Sequence, residues 1–119
     1  MTSSDHLTEA NRIFASLKKL SMPGDYLAIV DGAMVVAYHL GNTLLHKHGI
    51  LPDAEHANRP SALNQPVDAL PAPIRPAFEA FIALEKLRTD YVRKASSYDS
   101  ALASVVWRHL ETMQRACRG

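Results

Sequence analysis

Residues 25–49 read DYLAIVDGAMVVAYHLGNTLLHKHG, and the reading of this stretch decides the fold. It is the longest uninterrupted helical pattern in the chain and holds three of the six histidines. At 100° per residue, Tyr26, Val30, Ala33, Ala37, Gly41, Leu44 and His48 share one narrow face, flanked by Met34, Leu40 and Leu45. Asp25 stands where a cap is needed and Gly49 where a stop is needed. Glycine in a helix interior costs roughly 1 kcal/mol against alanine, so Gly41 on the apolar face predicts a close approach by a neighbouring helix. About 180° away runs a second stripe, Asp31, Val35, His39, Asn42 and His46. Either solvent meets that stripe, or something covers it: a second subunit, or the loop that follows.

Toward the N-terminus, Ser4 or Asp5 can cap a first helix whose apolar positions are Leu7, Ala10, Phe14, Leu17 and Leu20 or Met22. Pro23-Gly24 ends it. Toward the C-terminus, the interval Ile50–Pro76 carries six of the seven prolines, a spacing no long helix survives. Single helical turns fit Ser61 to Asn64 and Val67 to Leu70. A third helix begins near Pro73 or Pro76, because proline suits a first turn. Its apolar positions are Phe78, Phe81, Ile82, Leu84, Leu87, Tyr91 and Ala95, and Ser96-Ser97 breaks it. Ser97 or Asp99 caps a fourth helix burying Leu102, Val105, Val106, His109, Leu110, Met113 and Cys117. No segment alternates as a half-buried strand does. The expected architecture is all-α: one domain over residues 1–119, a four-helix up-down-up-down antiparallel bundle with a long Pro-rich loop between helices two and three.

Composition narrows the function classes. Hydrophobic residues make up 47% and charged residues 21%, an ordinary globular balance that argues against disorder. The net charge of +1 exerts no global pull on nucleic acid or membrane, so such a role needs a local patch. A lone Cys117 excludes an internal disulfide, and the polar start MTSSDHLTEAN is unlike a signal peptide. No unbroken apolar run approaches the roughly 18 residues of a membrane span. A cytoplasmic protein without membrane partners is expected.

In an up-down bundle the C-termini of helices one and three share an end, which gathers Lys18, Lys19, Arg88, Arg93 and Lys94. These cations either complement the helix dipoles or form a phosphate-binding patch. His109 and His48 read as core or core-edge histidines. His39 and His46 are seven residues apart, not the four of a helical zinc pair. A ligand set of Asp53, Glu55 and His56 from the loop is the remaining metal option, and no metal ligand or cofactor is assigned. Cys117 at a helix C-terminus is a poor nucleophile. There is no G-x-S-x-G, P-loop or G-x-G-x-x-G. His39, His46 or His56 as acid or base, with Arg59 stabilising an anion, would suit phosphodiester cleavage.

Residues 37–46, AYHLGNTLLH, are followed by His56-Ala57-Asn58-Arg59 in the loop and by Leu84, Arg88, Tyr91 and Arg93 in L-x-x-x-R-x-x-Y-x-R. Together these resemble the small HEPN-type helical proteins over roughly residues 25–117. The resemblance implies an antiparallel helical bundle, usually dimeric, associated with RNA or nucleotides as an RNase toxin or as the partner of a nucleotidyltransferase-like protein. Catalytic members carry an arginine followed after four to six residues by histidine. No arginine here has that neighbour, and His56–Arg59 has the reverse order.

Three functions follow as expectations. The first is a HEPN-like homodimeric binding or assembly module without chemistry, recognising RNA, a nucleotide or a toxin–antitoxin-type protein partner. Its functional stripe and loop would be Asp31, His39, Asn42, His46, His56 and Arg59. The second is a divergent ribonuclease using His39, His46, His56 and Arg59. The third is a small metal-binding bundle.

Overall fold

The computed structural model describes residues 1–63 and 65–118. Among them are four α-helices and no strand: α1 (Ser3–Leu17), α2 (Tyr26–Lys47), α3 (Arg75–Arg88) and α4 (Leu102–Arg118). The all-α expectation holds.

α1 begins earlier than its apolar pattern suggests. Thr2 is the cap: its Oγ1 accepts from the Asp5 N–H at 3.1 Å, and the Asp5 carboxylate accepts from the Thr2 N–H at 3.1 Å. This reciprocal capping box satisfies two amides that the first turn leaves free, so neither Ser4 nor Asp5 is the cap. Starting there, α1 buries His6, Ala10, Phe14 and Leu17, while Leu7 is only half-buried and Leu20 is exposed.

α2 lies at the centre; its apolar face is covered along its length, and the C-terminal half of the opposite face is covered too. Ile29, Val36, Leu40, Leu44 and Leu45 are fully buried, and so is Asn42 on the opposite face. That explains its composition. By length and mean hydropathy (1.3) it passes the test for a membrane span, although Asp31 interrupts every long apolar run. Yet 61% of that window is buried inside the protein, as a central packing helix requires.

α1 and α3 both run against α2. Ser3 Oγ donates to the Thr43 carbonyl at 2.9 Å, while Leu17 packs at Gly32, so α1 is antiparallel to α2. Phe81 meets Gly41 and Arg88 meets Asp31, so α3 is antiparallel too. A Cβ on Gly41 would lie 2.8 Å from Phe81 Cε2, which is the close approach its place on the apolar face predicts. α4 closes the core with Leu102, Val106, Leu110, Met113 and Cys117, and Trp107 stacks on Phe14 at a centroid distance of 6.0 Å.

Several side chains fall outside their expected places. His48 is exposed, because α2 ends at Lys47 and the chain turns through Gly49 at φ 69°. Ile82 is 44% exposed, and Val105 and His109 flank the α4 stripe half-buried. α3 does not reach Ala95: it widens into a π-turn at Thr89–Arg93, and Ala95 takes φ 57°. The Ser96 N–H then donates to the Asp90 carbonyl at 2.9 Å, closing the helix end. Asp99 Oδ1 accepts from the Ala101 N–H at 2.8 Å ahead of α4.

The Pro-rich connection is ordered as short 3-10 turns at Pro60–Ala62, Val67–Ala69 and Ala72–Ile74. The first of the expected turns extends to Asn64, which lies outside the described residues. Ala57, Leu70 and Ile74 anchor this connection in the core.

Candidate functional site

The stripe Asp31–Val35–His39–Asn42–His46 divides into two environments. Its C-terminal half is roofed within the chain by the start of α1 and by the loop at residues 51–59. Asn42 makes the key link. Its amide nitrogen donates to the Tyr38 carbonyl at 2.8 Å and to the Ala57 carbonyl at 2.9 Å. Its amide oxygen accepts from the Ala57 N–H at 3.0 Å. One buried side chain therefore replaces the ladder partners that loop backbone would otherwise need from water. The α1 side is fixed by Ser3, whose Oγ donates to the Thr43 carbonyl at 2.9 Å and whose carbonyl lies 3.4 Å from Thr43 Oγ1.

These two attachments bring four histidines together. His6 comes from α1, His39 and His46 from α2, and His56 from the loop. Ring centroids lie 5.1 Å apart for His6–His46, 4.9 Å for His6–His56 and 5.3 Å for His46–His56. His6 Nδ1 and His39 Nδ1 are 2.9 Å apart, so one proton is shared between them. His46 Nδ1–H donates to the Leu51 carbonyl at 3.1 Å, which assigns its lone pair to Nε2. Nε2 of His6 and Nε2 of His46 are both buried without a partner among the described residues. Tyr38 packs its ring edgewise on His6 and His39.

Burial sets the charge state. It pushes His6 down to about 4, helped by the neighbouring His39, His56 and His46 rings. Burial likewise lowers His39 and His56, against the opposing pull of Glu9 on the first and Asp53 on the second. At neutral pH these rings are neutral, each with a lone pair on one ring nitrogen. The Asp53 carboxylate lies 3.9 Å from His46 Nδ1, on the side of the ring facing the loop.

The N-terminal half of the stripe is open. Asp31 Oδ1 accepts from Arg88 Nε at 2.8 Å, with both side chains partly in solvent. Around them Met34, Val35, Tyr38 and Asn58 line a cleft of about 260 Å³. Next to it, Arg59 from the loop and Arg88 and Arg93 from the α3 end line a smaller pocket of about 120 Å³ with Glu85.

The structure thus gathers Arg59, Arg88 and Arg93, but not the whole expected basic cluster. Lys18 lies elsewhere, its Nζ 4.5 Å from the Phe14 ring centroid, in a hollow shared with Trp107 and Glu111. Lys19 and Lys94 are exposed. None of His39, His46 or His56 lines the Arg59 pocket. Nor do Asp53, Glu55 and His56 form the histidine cluster, whose other members come from helices. His6 was not among the sequence candidates. Its signal was its register, because positions 6, 10, 14 and 17 form one row of α1. No protein-family model, curated protein or solved structure matches the chain.

Proposed function

We propose that the chain is a HEPN-like binding module, cytoplasmic and without chemistry of its own, that takes a phosphate-bearing ligand, RNA or a nucleotide, in the arginine cleft. The observation that carries this reading is the convergence of Arg59, Arg88 and Arg93 on one pocket. Guanidinium groups stay charged at every physiological pH and offer paired N–H donors that match phosphate oxygens. Arg88 is held in place by Asp31, while Arg59 and Arg93 are exposed and available to a ligand. Tyr38, in the adjoining cleft that shares Arg88, supplies aromatic surface of the kind on which a base stacks. A second copy of the chain is the partner we assign to the uncovered apolar residues of α2, Leu27 at 46% and Val35 at 43% exposure.

The ribonuclease alternative finds no support in the geometry. Its general acid or base would have to reach a phosphate held by Arg59. Yet His46 presents a sealed Nε2, and none of the three histidines lines the Arg59 pocket.

Fluorescence anisotropy with a short labelled single-stranded RNA and with ATP tests the proposal. Binding should weaken as salt rises, and the Arg59→Ala/Arg93→Ala variant should lose roughly tenfold or more in affinity. Equal affinity in the variant, or no binding to either probe at low salt, would overturn it. Light scattering checks the dimer: wild type should have the mass of two chains and Val35→Glu the mass of one.

A further inference from the structure

We propose that His6, His46 and His56 form a three-nitrogen site for a divalent transition-metal ion of the zinc class. The site joins the start of α1, the end of α2 and the loop. Ligand nitrogens of the three residues all lie within 4.8 Å of one another. Around a tetrahedral zinc with bonds of about 2.0–2.1 Å, ligand nitrogens stand roughly 3.4 Å apart, so small side-chain rotations close the site.

The orientation of the rings favours a cation over an ordinary histidine core. His46 is tied at Nδ1 by the Leu51 carbonyl, and this outer bond is the one that metal-binding histidines make. It leaves the lone pair on the buried Nε2. His6 is tied at Nδ1 by His39. When His6 donates that proton, its Nε2 becomes a second lone pair, and His39 is the positioning residue behind it. Both Nε2 atoms are buried and unpartnered among the described residues, a state that is costly unless something satisfies it. A water could donate to two such nitrogens while accepting an N–H from the third ring. A cation accepts three lone pairs at once.

Neutral imidazole suits zinc, copper and nickel rather than calcium or magnesium, which take oxygen. Asp53 stands beside the Nδ1 side of His46, so it acts behind the ligand rather than on the ion. Three protein nitrogens leave one tetrahedral position, which His56, on the exposed side of the cluster, opens to water. Because the ligands lie 40 and 10 residues apart in sequence, the ion would tie both attachments of the roof to α2.

The experiment uses the full chain without a polyhistidine tag, stripped with chelator and titrated with Zn²⁺ and Co²⁺. Expected results are one ion bound per chain, a rise in the melting temperature on adding Zn²⁺, and the visible spectrum of nitrogen-ligated Co²⁺. His56→Ala removes an exposed ligand and leaves the core intact. It should weaken Zn²⁺ binding by more than the roughly 10–100-fold typical of losing an outer-shell partner, and it should abolish the thermal shift. His48→Ala, at an exposed histidine outside the cluster, should change neither. An equal Zn²⁺ affinity in wild type and His56→Ala would overturn the site, as would a Zn²⁺-independent melting temperature in wild type. RNA binding at the arginine cleft is a separate measurement and stands or falls apart from this one.

Discussion

The two halves of α2 carry the same kinds of residue on the same face, yet they meet opposite fates. Around Asn42 and His46 the face is sealed by another helix and by a loop. Around Asp31 and Val35 it opens to a cleft. The difference comes from what each polar group can reach. Asn42 has a backbone amide and a carbonyl of Ala57 within bonding distance, so burying it leaves nothing unpaired. Asp31 has, among the described residues, Arg88 alone, whose long side chain pairs as well in solvent as out of it. A polar residue on a helix face therefore indicates a surface only when no backbone is presented to it.

Substitutions that remove each link should break this contrast most sharply. Asn42→Ala strands a buried N–H and carbonyl at Ala57, and urea unfolding should show a loss of about 3 kcal/mol or more. In the open half, Asp31→Asn should change the same measurement by less than about 1 kcal/mol, because partly exposed ion pairs are worth little.

Acid should reach the sealed half first. In the metal-free protein His6 titrates near 4 when folded, against the usual 6.5 when unfolded. Its folded-state pKa is depressed, so its contribution to stability is complete above 6.5. Between 6.5 and 4 the unfolded chain takes up the proton and the folded one does not. Unfolding in EDTA at pH 7 and at pH 4.5 should therefore differ by about 2–3 kcal/mol from this residue alone, the acid side being weaker.

Smaller effects test the packing that holds the two halves in register. Gly41→Ala would drive a methyl to 2.8 Å from the fully buried Phe81 ring, and overpacking should outweigh the helix gain by about 1–2 kcal/mol. Gly32→Ala, which meets the tip of Leu17, should cost less, because a leucine end can rotate aside. Burial lifts the Cys117 thiol to about 11, so it should react with a disulfide reagent at pH 8 only as fast as the chain unfolds.

The helices were legible in the sequence because their apolar spacing, prolines and terminal cations agree with one another. Gly41 announced its own contact. His6 escaped because Leu7 looked like the first apolar position. Thr2 and Asp5 form a capping pair that starts the helix early enough to bring residue 6 onto the buried row. His48 misled because the face of a helix is meaningless once the helix has ended. The link between Asn42 and Ala57 had no sequence signal: a loop residue fifteen positions away is found only by folding. The same holds for the meeting of Arg59 with Arg88 and Arg93, which depends on where that loop lands.

Both candidate sites depend on the loop being docked, since His56 and Arg59 flank Ala57 on it. Native-state hydrogen exchange at the Ala57 amide measures that docking directly. The amide should exchange far more slowly than those of the exposed residues around it, and Asn42→Ala should release it. An Ala57 amide that exchanges as fast as its exposed neighbours in the wild-type protein would contradict the sealed half of α2, and with it the placement of both sites.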